Sequence, residues 1–415
     1  MSLTVIDYIE GYHLYCTRKS VLPIPSLDKL LAVCIDDGHT PTTFTLRGNH
    51  PELRDRRISD DYLDVLILPF AGNDFLTTLD LSFNHITDRG GSILAKWLRS
   101  TQKLQYLILA SNMLGSAAGI ALSESLTVNV TLRSIDLSHN ALGHDGGMAL
   151  AGMLQVNTSL TCLRIHHCGL TLSALIALCT VLHNNNTLSS LDIGDNDGGG
   201  QQRAPSLHTD FVRHLAHMLA MNRGLKELGL AKLNISDEDA REHLGPAFEL
   251  ARGLQELDLT GNHLKEDAAH ALTCHLVAHP SLTSLRLSNN SLGTRGVLSL
   301  ASLLKNNVTL ARLYLDHVRA GADAMLALAQ VLLRINSTLS TVAVWGNDFY
   351  SGAPQGMHQA EDCVEGEGVG PGSACAMWGQ LIEPRRQRLQ LNQVDIVPYE
   401  VQQEWAVARN ERFVG

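Results

Sequence analysis

An α/β solenoid, a stack of strand-helix units with parallel strands on the concave side and helices on the convex side, is the fold that three features of this sequence predict. The pattern LxxLxLxxN recurs with its last position at Asn84, Asn112, Asn140, Cys168 and Asn196, in steps of 28. It resumes at Leu233, Asn262, Asn290, Val318 and Asn347 in steps of 28 or 29. Inside each unit the apolar period switches from two to that of a helix. Finally, 45% hydrophobic and 18% charged residues in a chain of 415 supply enough apolar surface for a long core. By length alone such a chain would be divided into two or three domains. A fixed repeat overrides that expectation, because each unit buries its apolar face only against its neighbours.

In chain order, residues 1–43 carry two apolar runs, Val5 to Leu14 and Leu27 to Val33, separated by VLPIPS. They predict two short helices capping the open edge of the first repeat. The first strand is FTLRGN, Phe44 to Asn49, followed by an insertion at 50–56. Eleven units are expected over 44–350, bending into a horseshoe because helices are wider than strands. The step from Asn196 to Leu233 is 37, and its excess of nine falls on DGGGQQRAPS, a loop insertion at 197–206.

The unit TLDLSFN shows the logic. Leu79 and Leu81 alternate with Asp80 and Ser82 as in a half-buried strand, and in GGSILAKWLRS the residues Ile93, Leu94, Trp97 and Leu98 share one helical face. Gly90, Ala118, Gly146, Ala174, Ala268, Gly296 and Ala324 share one register position, where a small side chain admits the neighbouring helix. Where the chain leaves the strand and turns inward, its backbone needs partners away from water, and an amide both donates and accepts. Asn84, Asn112, Asn140, Asn196, Asn262, Asn290 and Asn347 are therefore expected to form a buried ladder, with the Cys168 thiol fitting the same column. Leu233 and Val318 cannot, so those two turns should differ. A second column, Asn73, Asn129, Asn157, Asn185, Asn222, Asn307 and Asn336, falls at the helix ends and predicts left-handed caps. That role accounts for the N-x-S/T matches at Asn129, Asn157, Asn185, Asn307 and Asn336 without glycosylation.

Net charge is −10, and no basic run exceeds Arg56-Arg57 or Arg385-Arg386, which argues against nucleic acid and anionic membranes as partners. The N-terminus places Asp7 and Glu10 where a secretion signal needs basic and then apolar residues. No run of about 18 apolar residues suggests a membrane span. Eight scattered cysteines read as reduced thiols, so the expected location is cytoplasmic. GxxxxGK[ST], GxSxG, HExxH and CxxC are all missing, so neither catalysis, nor a cofactor, nor a small-molecule substrate is expected. Three histidine groups are weighed as metal ligands and set aside. His166-His167-Cys168 points in diverging directions, His275 and His279 lack a third ligand, and His214 and His217 lie on an outer helix face.

Strand side chains between the leucines should line the concave face and meet a protein partner. Along it the sequence places Tyr106, Ile108, Asp136, Arg164, Asp258, Arg286, Arg312, Tyr314, Asp316 and Trp345. Aromatic and Arg residues dominate binding hot spots. Tyr314 and Trp345 beside Arg286 and Arg312 therefore make the C-terminal half the expected principal contact surface. After Asn347 the repeat decays into a Gly-rich acidic stretch, a short helix around Met377 to Ile382 and a tail rich in extended-type residues. Residues 351–415 read either as a terminal cap or as an arm that docks on a partner.

The period with LxxLxLxxN and a full helix resembles the ribonuclease-inhibitor class of leucine-rich repeats, which includes ribonuclease inhibitor, Ran GTPase-activating protein and the repeat regions of NOD-like receptors. That resemblance implies a protein-binding solenoid. Ran GTPase-activating protein characteristically has a strongly acidic tail, whereas this C-terminus is mixed, with Arg385, Arg386, Arg388 and Arg409. The flanking motifs YHLYCTRKSVLPIPSLDKLL, NDFLTTLDLSFNHITDRG, VWGNDFYSGA and LIEPRRQRLQLNQVDIVPYEV resemble the leucine-rich repeat-containing protein 34 family of cilia- and flagella-associated proteins. What this second resemblance implies is a non-enzymatic scaffold in a ciliary or flagellar axoneme. The alternative is a soluble cytosolic regulator that inhibits or senses a protein.

Overall fold

Each repeat begins with a three-residue strand whose middle side chain is apolar and buried, and this small unit organises the whole computed structural model. The structure describes residues 5–36, 40–54, 56–70, 75–196, 205–349, 378, 396–401 and 404–409. Two compact units divide the chain, residues 1–214 and 215–415.

Unit 1 contains strands β1 (Thr43–Thr45), β2 (Thr78–Asp80), β3 (Tyr106–Ile108), β4 (Ser134–Asp136), β5 (Cys162–Arg164) and β6 (Ser190–Asp192). Each pairs with the next in parallel and in register, so that Leu79, Leu107, Ile135, Leu163 and Leu191 form one buried row. Helices such as Asp88–Leu98, Ser116–Leu126 and Gly143–Leu154 follow the strands and turn Leu94, Leu98, Leu122, Leu126, Leu150 and Leu154 onto that row. The core of an α/β leucine-rich-repeat solenoid is this seam between strand and helix leucines. Small residues let neighbouring helices close up: a Cβ on Gly91 would lie 2.4 Å from that of Ala118. Carboxylates join successive helix starts, as Asp88 Oδ1 accepts from Gly115 N at 2.7 Å and Ala118 N at 2.8 Å.

Before β1, helices Val5–Lys19 and Pro25–Asp36 carry the aromatic side chains that meet the first repeat. Tyr8 stacks on Phe70 at 4.1 Å and stands edge-on to Phe44, and Tyr12 Oη accepts from Ile24 N at 2.8 Å.

Unit 2 contains β7 (Glu227–Gly229), β8 (Glu256–Asp258), β9 (Ser284–Arg286), β10 (Arg312–Tyr314) and β11 (Thr341–Ala343), again parallel and in register. Its helices are less regular: Asp237–Asp239 continues through a π segment, Ala240–Leu244, into Gly245–Leu250. Pro246, which has no N–H to offer a helix interior, sits just beyond that segment. Residues Ile396–Val401 and Glu404–Arg409 form an antiparallel hairpin, β12 and β13. Trp378 is buried, with its indole N–H donating to Met325 O at 3.2 Å. Asn73, residues 197–204 of the loop insertion expected at 197–206, the acidic stretch from Gly356 to Gly372 and, apart from Trp378, the helix expected around Met377 lie outside the described residues; Pro205 and Ser206, expected in that loop, instead open the helix Pro205–Met221.

The turns after the strands carry the ladder. Asn84 Nδ2 donates to Leu46 O at 2.8 Å and Leu81 O at 2.9 Å, while its Oδ1 accepts from Ile58 N at 2.9 Å. One side chain thereby ties three successive segments of backbone. Asn112, Asn140, Asn196, Asn262, Asn290 and Asn347 repeat the donation to a carbonyl of the preceding repeat, at 2.7 to 3.0 Å.

Cys168 departs from the expected equivalence to asparagine. Its Sγ donates to Leu137 O at 3.2 Å, but it offers no strong acceptor. Its turn instead shares the geometry of Leu233 and Val318: a second residue of positive φ follows each, Gly169, Asn234 and Arg319. In place of the amide's acceptor a backbone bond forms one residue further on, Gly143 N donating to Cys168 O at 3.1 Å and Gly293 N to Val318 O at 3.0 Å. The next asparagine then serves the odd residue's own N–H: Asn196 accepts from Cys168 N, Asn262 from Leu233 N and Asn347 from Val318 N. Burial pushes the Cys168 thiol up to about 12, so it stays protonated as a donor.

The second asparagine column is corrected as well. None of Asn129, Asn157, Asn185, Asn222, Asn307 and Asn336 has positive φ. They act as a second cross-repeat tie, Asn129 Nδ2 donating to Leu98 O at 2.7 Å while Oδ1 accepts from Leu132 N at 2.8 Å. In that column His279 stands in for asparagine: its Nδ1 accepts from Leu282 N at 3.0 Å and Nε2 meets Ala251 O at 3.2 Å.

Candidate functional site

On the strand face, residues at the first and third strand positions and those two further on stand in three columns, set by the parallel register. Short polar side chains along these columns spend their hydrogen bonds locally. Asp80 Oδ1 accepts from Ser82 N and Oγ at 2.9 and 2.6 Å, Asp136 from Ser138 N at 2.9 Å and Asp258 from Thr260 N at 2.8 Å. These aspartates close the bend after the strand, a task that the sequence pattern alone did not separate from partner contact.

In unit 1, Tyr106 is 46% exposed and Ile108 half-buried. Arg164 is exposed between Asp136 and Asp192, its register partners. Cys168 turns into the interior, away from His166 and His167, which meet residues one repeat away instead. His167 Nδ1 lies 3.0 Å from Asp195 Oδ2, His166 Nδ1 3.4 Å from Asp192 Oδ1, and the His139 ring stands 5.2 Å from that of His167. The signal was present: His139, His167 and Asp195 all immediately precede a ladder position. Burial and the neighbouring His166 and His167 charges lower the His139 pKa. At Asp192 burial pushes the carboxyl up, but hydrogen bonds from His166 and Gly194 N–H with the His166 and Arg164 charges outweigh it, leaving its pKa lowered. Among the described residues, no group of three or more His, Cys, Asp or Glu is placed to hold a metal ion.

Unit 2 is different in kind. Arg312 reaches across a whole strand to Glu256, Nη2 to Oε1 2.6 Å. Tyr314, expected to be exposed, is only 9% exposed, because the Arg286 guanidinium covers its ring at 4.2 Å from the centroid. Asp316 Oδ2 accepts from Ser288 Oγ at 3.0 Å and Oδ1 from Trp345 N at 3.0 Å. Beyond it a cleft of roughly 540 Å³ is lined by Asn289, Asn290, Ser291, His317, Arg319, Trp345 and Gly346. Arg286, Arg312, Tyr314, Asp316 and Trp345 thus lie on one continuous face, whereas Tyr106, Ile108, Asp136 and Arg164 belong to the other unit.

The family model described as "Leucine Rich repeat" matches residues 72–95, 128–151, 156–179 and 278–301. The repeats are leucine-rich repeats. Among curated proteins, this chain is 29% identical over 190 residues to "NACHT, LRR and PYD domains-containing protein 5" of Mus musculus, covering 45% of this chain and 16% of that protein. It is 32% identical over 152 residues to the Homo sapiens protein of the same name, covering 36% and 12%. The chain therefore spans less than a fifth of either relative. Of the solved structures, the leiomodin-1 actin-binding site 2 aligns with 24% identity and a TM-score of 0.24, covering 27% of this chain and 61% of that one. The Caenorhabditis elegans tropomodulin C-terminal domain aligns with 14% identity and a TM-score of 0.32, covering 39% and 92%. Neither likeness bears on function. No helix among the described residues is long and apolar enough to cross a membrane.

Proposed function

We propose that this chain is a non-catalytic protein-interaction scaffold whose strand face holds its partner, with unit 2 as the principal contact surface. Leucine-rich repeats generally serve protein–protein interaction, and solenoids present extended faces for it. The observation that carries the reading here is the set of Arg286, Tyr314, Arg312 and Trp345 on one face of unit 2, since Arg and aromatic residues dominate interface energetics. Tyr106, Ile108, Asp136 and Arg164 in unit 1, with Asp258 and Asp316 in unit 2, complete the proposed contacts. Residues 1–43 serve as an N-terminal cap, and 351–415 as a C-terminal cap or arm.

The cellular setting we infer is a ciliary or flagellar axoneme, supported by the flanking motifs of the two termini. A tagged full chain expressed in ciliated cells should stay with axonemes through detergent and high-salt extraction. Complete release as a soluble monomer would favour the second reading, a cytosolic regulator that binds and inhibits or senses a protein. Proximity labelling identifies the partner in either case, and Trp345→Ala with Arg286→Gln should deplete it without unfolding the chain. An unchanged set of labelled proteins would sink the assignment of this face.

A further inference from the structure

Resting on the reading that unit 2 binds protein, we propose that its strand face recognises an acidic peptide segment, whose carboxylates seat on Arg286 and Arg319. Arg286 is held in place by the Tyr314 ring beneath it, 4.2 Å from guanidinium carbon to centroid. A fork fixed before binding loses less side-chain freedom when a ligand arrives. Neither Arg286 nor Arg319 has a carboxylate partner among the described residues. Arg47 in unit 1, by contrast, lies 3.7 Å from Asp80.

The acids around them are already engaged. Glu256 is paired with Arg312 at 2.6 Å, Asp258 accepts from Thr260 N at 2.8 Å, and Asp316 accepts from Ser288 Oγ and Trp345 N. No Asp or Glu lines the adjoining cleft, whose walls bring Arg319, His317 and Trp345 together with the amide of Asn289 and hydroxyl of Ser291. Every charged group in that wall is basic. This happens in a chain of net charge −10, so the preference is local and is not the field of the whole molecule. Arg binds carboxylates through two parallel N–H donors.

The test is fluorescence anisotropy of a fluorescein-labelled decaglutamate on the full chain at physiological salt, with decaglutamine as the control. Saturable binding of decaglutamate alone is expected. The double variant Arg286→Gln with Arg319→Gln should weaken it by about tenfold or more, because two charge-assisted sites are lost. Arg286→Lys should weaken binding because the fork is gone. Circular dichroism melts of each variant show whether the fold is retained. No binding of decaglutamate, or equal binding by the folded double variant, overturns the proposal. Binding that emerges only after Glu361, Asp362, Glu365 and Glu367 are all changed to Gln would name the chain's own acidic stretch as the occupant and also overturn a partner peptide. If decaglutamate fails while Trp345→Ala still depletes the labelled partner, only the acidic preference falls; if both fail, the underlying reading falls with it.

Discussion

The strand faces of the two units are built from the same strand-and-turn pattern and differ in where their acids stand. In unit 1, Arg47 lies beside both Asp80 and the Phe83 ring, and His166 and His167 stand beside Asp192 and Asp195. In unit 2, Arg312 is paired with Glu256, but Arg286 lies over the Tyr314 ring and the cleft beyond it is lined by no Asp or Glu. A repeat scaffold fixes where side chains stand, and single substitutions at those places decide whether the face is self-satisfied or open to a partner. The turns differ too. Unit 1 has one odd ladder position, Cys168, while unit 2 has two, Leu233 and Val318, along with His279 in the second column and a π segment in one helix.

The strongest way to break this comparison is at the ladder. Asn140→Ala would leave Leu114 N without its buried acceptor and take one of two donors from each of Leu109 O and Leu137 O, which keep Asn112 Nδ2 and Cys168 Sγ, at a cost of about 2–3 kcal/mol. Cys168→Ala, where a backbone bond stands in place of the amide's acceptor, should cost about 1 kcal/mol. Urea midpoints at constant slope compare the two, and equal losses would refute the division into two turn types. A further large effect is expected at Gly48, where a Cβ would meet Phe83 O at 2.0 Å; Gly48→Ala should cost about 1–3 kcal/mol in the same assay.

Acid should separate the units next. Burial lowers the His279 pKa, so the unfolded chain takes up the proton first as pH falls below the ordinary histidine value. Its contribution to stability is therefore complete above about pH 6.5 and declines as pH drops toward its lower folded value. His279→Asn, which restores the amide found in six described repeats, should flatten the fall of melting temperature between pH 7 and 5. An unchanged slope would mean that His139, lowered for the same reason and with the same sign, carries the acid sensitivity in unit 1 instead. A smaller gain is expected at Gly152, an exposed helical position where an added Cβ would meet no other atom within 4 Å; Gly152→Ala should stabilise by about 0.5–1 kcal/mol. The smallest effect sharpens the comparison of faces: Arg164→Gln in unit 1 should leave decaglutamate binding unchanged, and a loss equal to that of Arg286→Gln would erase the distinction between units.

The sequence alone determined the repeat, its register and the placement of strand and helix, because a fixed period with alternating leucines admits one way to bury them. It also determined that Leu233 and Val318 could not serve their turns as an amide does, since neither side chain donates or accepts. Tertiary structure decided what depends on neighbours one repeat away, which are distant in sequence and adjacent in space. Cys168 joined the odd turns because the glycine of the preceding repeat could reach its carbonyl. The second asparagine column became a tie between repeats because the carbonyl it meets lies on the helix of the preceding unit. Tyr314 became the support of Arg286 because strands β9 and β10 set them side by side, where the ring's quadrupole attracts a guanidinium over its face.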